Sequence, residues 1–218
     1  MAHALPYDQV NLVSIRLQKF LSSIGYHGLG GDRNRVGMNP GFGGMSGLGE
    51  LGRDNLIVSY EYGQVVRCTQ RIFTDLPLAP VTKPIDAGIF RFCHTCKKCA
   101  EICPAGALDL NDEPNYEVLG PWNFPGAKRY QYYGPKCYAY WPEVGGICGY
   151  CQSVCVFSKK DFAHVHDSVK AIVAKTPILN GFFVNMDELF GYGLKNAEEW
   201  WDLDMQRFGY WNHPSGRT

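Results

Sequence analysis

Residues 93 to 104 read CHTCKKCAEICP, a C-x2-C-x2-C-x3-C-P run, and four thiols this close together leave the chain few ways to fold. Three thiolates on one tight loop can cap three irons of a single [4Fe–4S] cube. The fourth, three residues on, enters a helical turn and points elsewhere, and the proline after it turns the chain away. This is the bacterial two-cluster pattern, in which the fourth cysteine ligates the other cube. Zinc also binds CxxC pairs, but it needs four ligands in all and gives no reason for the fourth cysteine and proline here. A second group, Cys148-Gly-Tyr-Cys151-Gln-Ser-Val-Cys155, follows, with Cys137 upstream across a longer loop and Val156 where a proline is expected. By the two-cluster logic Cys93, Cys96, Cys99 and Cys155 hold one cube, and Cys103, Cys137, Cys148 and Cys151 the other. Cys68, the ninth cysteine, sits in an apolar strand-like run and reads as a small buried hydrophobe.

The rest of the composition excludes several classes. Lys plus Arg and Asp plus Glu are 21 each with no basic stripe, which gives a nucleic acid no footing. Hydrophobic residues at 45% and charged residues at 19% describe a folded chain. No apolar run approaches the ~20 residues that span a bilayer. The opening MAHALPYDQV has neither a basic nor an apolar leader region. Cysteines two residues apart in one stretch are also unlike a secreted disulfide scaffold.

An α+β fold is expected. Val10, Val13, Leu17, Phe20, Leu21 and Ile24 form a helical stripe, which predicts a core-facing helix over Gln9 to Ile24. Residues 25 to 52 hold eleven glycines and predict a loop where backbone must come close to something. Asn55 to Tyr60 and Gln64 to Phe73 read as strands, and Phe162 to Lys175 as a helix. Gly47, Gly49 and Gly52 match G-x-G-x-x-G. That fingerprint has meaning only after a strand and before a helix, and here the strand-like NLIVSY follows it, so a dinucleotide site is rejected.

The order GLGELGR, EYGQVVRCTQRIFTDLPL, CHTCKKCAEICPAGAL and CGYCQSVC, with the tail MDELFGYGLKNAEEWW, resembles the C-terminal half of the corrinoid-dependent reductive dehalogenases. Epoxyqueuosine reductases share the layout but carry a Trp-Ile-Gly-Lys version of the glycine motif, so Glu50 and Arg53 favour the dehalogenase side. The resemblance implies a partial nitroreductase-like cobalamin-binding domain over residues 1–90. A bacterial-ferredoxin-like unit with two [4Fe–4S] clusters is inserted over 91–160, and C-terminal helices and tail over 161–218 pack back on the first domain. Electrons pass from the outer cluster to the inner one and on to cobalt, where an organohalide loses its halide while a proton is supplied.

Arg53 matches the family's active-site cation, which assists the proton donor or the departing halide, as a permanently charged guanidinium can. Asn39, Gly44, Ser46, Gly47 and Gly49 are implied neighbours of the corrinoid. The chain lacks the D-x-H-x-x-G pattern of histidine-ligated cobalamin proteins, so His27, His94, His164 and His166 read as surface or structural histidines. Partners implied are a small organohalide, an electron donor upstream of the clusters and a membrane anchor protein.

Complete family members are much longer, begin with a twin-arginine export signal and carry the proton-donating tyrosine in an N-terminal region ahead of what is residue 1 here. The family's place is the outer face of the cytoplasmic membrane; the chain as written carries no such signal and reads as cytoplasmic. An uncovered apolar face is expected to make the half-domain poorly soluble alone. The alternatives are a ferredoxin-type electron-transfer module without corrinoid and an epoxyqueuosine-reductase-like cobalamin enzyme.

Overall fold

The structure is a computed structural model that describes residues 4–30, 38–64, 71–79, 82–158 and 164–194. Helix α1 (Ala4–Ser23) packs on a two-stranded antiparallel pair, β1 (Gly28–Gly30) and β4 (Ile72–Thr74), with Gly28 opposite Thr74. Leu21 and Ser14 are its buried residues. Leu21 reaches the bare Cα of Gly28, and Gln18 and Ser14 that of Gly30, where a side chain on either glycine would collide. Of the stripe predicted to face the core, Leu21 does, but Val13, Leu17, Phe20 and Ile24 are 45% to 57% exposed. The helix does have the 3.6-residue period, but its partner sheet is three residues long and glycine-lined. That sheet meets the Ser14, Gln18, Leu21 line rather than the apolar one.

The glycine-rich stretch is not wholly loop. Helix α2 (Asn39–Met45) starts with Pro40 in its first turn, where a missing N–H costs nothing. Gly43 lies so close to Ile57 that a Cβ there would be squeezed. Strand β2 (Glu50–Leu51) pairs antiparallel with β3 (Ile57–Val58), Glu50 opposite Val58. The order around the G-x-G-x-x-G match is therefore helix, then strand, the reverse of a dinucleotide site. The strand expected over Asn55 to Tyr60 shrinks to two residues because Asn55 takes a left-handed φ of 62°. Asparagine tolerates that conformation, and its Nδ2 donates to the Tyr130 carbonyl at 2.9 Å. Most of the Gln64 to Phe73 run, Cys68 included, lies outside the described residues; β4 is its visible end.

Helices α3 (Ile89–Thr95) and α4 (Lys98–Glu101) carry Cys93 and Cys99. Helix α5 (Gly134–Tyr140), a 3-10 turn (Trp141–Val144) and α6 (Tyr150–Ser153) carry Cys137 and Cys151. Helices α7 (His164–Lys175) and α8 (Asn180–Leu189) pack against α3. The core joins residues far apart in the chain: Val58, Ala87, Ile89, Phe92, Phe157 and Val173 form one buried cluster. Phe92 and Phe157 meet edge to face with ring centroids 5.2 Å apart, so the backbone flanking Cys93 and that flanking Cys155 share one core. Among the described residues no helix is long and apolar enough to cross a membrane.

Candidate functional site: a cysteine-lined centre beneath a charged turn

Cys93, Cys96, Cys99 and Cys155 line one cavity together with Arg53 and Gln64. Burial, then the neighbouring thiols Cys96 and Cys155, push the Cys93 thiol well above its ordinary range. Burial likewise raises Cys96 and Cys99, and pushes Cys155 up to about 12. One backbone amide among the described residues donates to a cysteine sulfur, that of Ala107 to Cys103 Sγ at 3.4 Å. Such an amide favours thiolate and is suited to ligated sulfur. In the second group Cys148 and Cys137 both act on Cys151, whose thiol is raised first by burial. Cys103 and Cys148 both lie near enough to Tyr140 to act on its phenol, after desolvation. Helices α4 and α6 are in contact and bring the two groups side by side. All eight described cysteines are free thiols.

The turn that roofs the first cavity is Glu50-Leu-Gly-Arg53. Glu50 accepts from N–H groups ahead of and inside the first turn of α3 that have no carbonyl partner within the helix: Ala87, Ile89 at 3.4 Å and Phe90 at 2.8 Å. Arg53 takes the other end. Its Nε donates to the carbonyls of Cys93 at 3.2 Å and Cys96 at 3.3 Å, and its Nη2 to Cys93 at 2.6 Å. Its Nη1 donates to the Asp109 carbonyl at 3.1 Å and the Asn111 carbonyl at 2.8 Å. A carboxylate at a helix N-terminus and a guanidinium at its C-terminus both complement the helix dipole. Arg53 is wholly buried, stacks over the Tyr130 ring at 4.0 Å and lies 3.6 Å from the Asp109 carboxylate.

This placement bears on the role the family resemblance implies for Arg53. All three of its side-chain nitrogens are engaged by backbone carbonyls of the cysteine loop and the segment after it, so the geometry is that of a group holding the loop. An ion pair with Glu50 or Asp54 is not what the side chain makes. Asp54 instead is buried beside the cavity. Burial raises its carboxyl above the usual carboxylate range, against the hydrogen bond from the Leu56 amide. Its Oδ1 accepts from the Leu56 amide at 3.2 Å, and its Oδ2 is buried without a hydrogen-bond partner among the described residues. Sequence reasoning missed Asp109 and Tyr130, and also the ion pair of Lys98 with Asp187, at 2.5 Å and nearly inaccessible to water, which ties the cysteine loop to α8. Lone charged residues at those spacings carry no motif by which to find them.

The five residues assigned to a corrinoid divide. A side chain at Gly47 (φ 74°) would run into the Lys83 carbonyl, and one at Gly49 into the Val58 carbonyl, so both glycines are required by the chain's own packing. The Ser46 hydroxyl donates to the Gly43 carbonyl at 3.1 Å. A Cβ at Gly44 would make an ordinary contact with the Gly49 carbonyl oxygen at 4.0 Å, and Asn39 carries a buried Oδ1 with no hydrogen-bond partner among the described residues. Of the histidines, His27 pairs with Asp75 and His94 with Glu113, each at 2.8 Å on the surface.

No family model matches the chain. It is 38% identical over 216 residues to the trichloroethene reductive dehalogenase of Dehalococcoides mccartyi, across 92% of this chain and 36% of that protein. It is 36% identical over 207 residues to the tetrachloroethene reductive dehalogenase of Sulfurospirillum multivorans, across 94% of this chain and 40% of that one. Among solved structures, the catabolic reductive dehalogenase NpRdhA in complex with 3-bromo-4-hydroxybenzoic acid superposes with a TM-score of 0.68 at 25% identity. The match covers 81% of this chain and 24% of that one. The fold, mixed in helix and sheet, is theirs. The chain spans well under half the length of these relatives, and over that span it belongs to the reductive dehalogenase family.

Proposed function

We propose that this chain is the cluster-bearing part of a corrinoid-dependent reductive dehalogenase. Its overall chemistry is R–X plus two electrons and a proton giving R–H and X⁻. The observation that carries the reading is the common cavity of Cys93, Cys96, Cys99 and Cys155, in which a cysteine from the second group completes the first. Among the described residues no three His, Cys, Asp or Glu side chains meet tightly enough for a single metal ion. Thiols spread around a cavity suit a cube better than a mononuclear zinc. In this reading residues 91–160 are a ferredoxin-like unit set in a nitroreductase-like domain formed by 1–90 and 161–218. Cys103, Cys137, Cys148 and Cys151 hold the second cube.

When bound, cobalamin supplies the low-valent centre at which the carbon–halogen bond is cleaved. Of the five assigned residues, Asn39, with its unpartnered carbonyl oxygen, and Gly44, which meets only the Gly49 carbonyl at 4.0 Å, are the two that could face such a group. Arg53 acts at one remove: it fixes the loop that holds the electron-delivering cube. The substrate class is a small organohalide. The electron donor docks at the second cysteine group, and a membrane anchor on the outer face of the cytoplasmic membrane completes the family's arrangement. A second reading, an electron-transfer module without corrinoid, is favoured by one observation: three of the five residues assigned to the corrinoid are occupied by the chain's own contacts.

The test is anaerobic reconstitution with iron, sulfide and cobalamin, removal of unbound cofactor, and metal analysis followed by a halide-release assay on trichloroethene with a low-potential reductant. About eight irons and one cobalt per chain is the expected result, with halide release once the chain is part of the full-length enzyme. Eight irons without cobalt gives the second reading for this chain, and four or fewer irons overturns the two-cluster site.

A further inference from the structure

Helix α3 is held at both ends by two charged side chains that lie three residues apart on one turn. Glu50 takes amides at its N-terminus, and Arg53 takes the carbonyls of Cys93 and Cys96 at its C-terminus. The partners lie forty residues or so downstream, and Cys93 is at the end so held. We propose that Glu50 and Arg53 are positioning residues for electron transfer. They clamp the helix that presents Cys93, and the buried Arg53 charge raises the reduction potential of the cube on Cys93, Cys96, Cys99 and Cys155. The inference rests on the two-cluster reading above and goes beyond it by separating the two cubes electrostatically.

The physical argument is one of charge and screening. Reduction adds an electron to a cube that is already anionic with its four thiolates, so a fixed cation nearby stabilises the reduced form. Arg53 is always charged, and its side chain is 0% exposed, so water and salt screen it little. Fixing the carbonyls of Cys93 and Cys96 on the guanidinium also turns those peptide units so that their oxygens face the cation and not the cluster. Asp109, 3.6 Å from Nη1, offsets part of the charge, and Asp54 adds a buried carboxyl on the same side. Lys98 is balanced by Asp187. Among the described residues the second group has no such buried guanidinium on its backbone. A higher potential at the buried cube draws electrons inward from the exposed one.

An EPR-monitored redox titration of the whole chain, reconstituted with iron and sulfide and carried out on wild type, R53Q, R53K and D109N, tests this. Wild type must first show two [4Fe–4S] signals; if it does not, the two-cluster reading fails rather than this inference. R53Q is expected to shift one of the two midpoints negative and leave the other in place, and R53K, which keeps the charge without the fork, to restore most of that midpoint. D109N, which removes the offsetting charge, is expected to move the same midpoint positive. If R53Q loses a cube, R53K and D109N decide. Unchanged midpoints in all assembled variants, or equal movement of both clusters, overturns the proposal.

Discussion

The two cysteine groups are chemically alike and physically different. The first is embedded: α3 is clamped by Glu50 and Arg53, α4 is tied to α8 by the Lys98–Asp187 pair, and Phe92 next to Cys93 is 2% exposed. The second rides on two short helices and a 3-10 turn. There Tyr138 is 61% exposed and Val144 is also open to solvent, and a Cβ on Gly145 or Gly146 would meet nothing. A buried site fixes geometry and excludes water; an exposed one can meet a partner. The cysteines themselves are all half-buried, so the contrast lies in their surroundings, and in the proposed reading it is the second group that a donor would approach.

The largest expected effect strikes the embedded group. C96S should remove one cube, halve the iron content and, in the full-length enzyme, abolish halide release. A C96S protein that keeps all its iron would erase the distinction between the groups. Next in size, F92A should destabilise the chain by about 3–5 kcal/mol, as truncating a fully buried aromatic does. Y138A on the exposed group should change stability by less than about 0.5 kcal/mol. Chemical denaturation of the two variants checks both, and similar losses would mean that the second group is also core. D187N leaves Lys98 buried without its counter-charge and should cost about 3 kcal/mol. The double variant K98M/D187L should recover most of that, because a buried pair replaced by apolar side chains of similar size is often near neutral. At the small end, D75A removes the surface partner of His27 and should leave the melting temperature unmoved.

What was legible in the sequence was local. Four cysteines within eleven residues and a helical period over residues 9 to 24 are short-range signals, and both are present as cysteine loop and helix. What covers a helix is a long-range matter, and here most of the apolar stripe of α1 faces away from its glycine-lined sheet. The glycine-rich stretch was legible as a place of close approach, but the object approached at Gly47 and Gly49 is the chain's own backbone. Glu50 and Arg53 stood out as residues. Their partners did not, because peptide groups thirty-seven to fifty-eight positions downstream leave no trace in side-chain pattern.

The most direct test of the account is the crosswise sharing of cysteines between the groups. C155S and C103S should be reconstituted with iron and sulfide, and their remaining EPR signals compared with those of C96S and C148S. If Cys155 completes the embedded cube and Cys103 the exposed one, C155S should keep the same single cluster as C96S, and C103S the same one as C148S. If C155S instead matches C148S, each group holds its own cube and the shared cavity of Cys93, Cys96, Cys99 and Cys155 is not a ligand set.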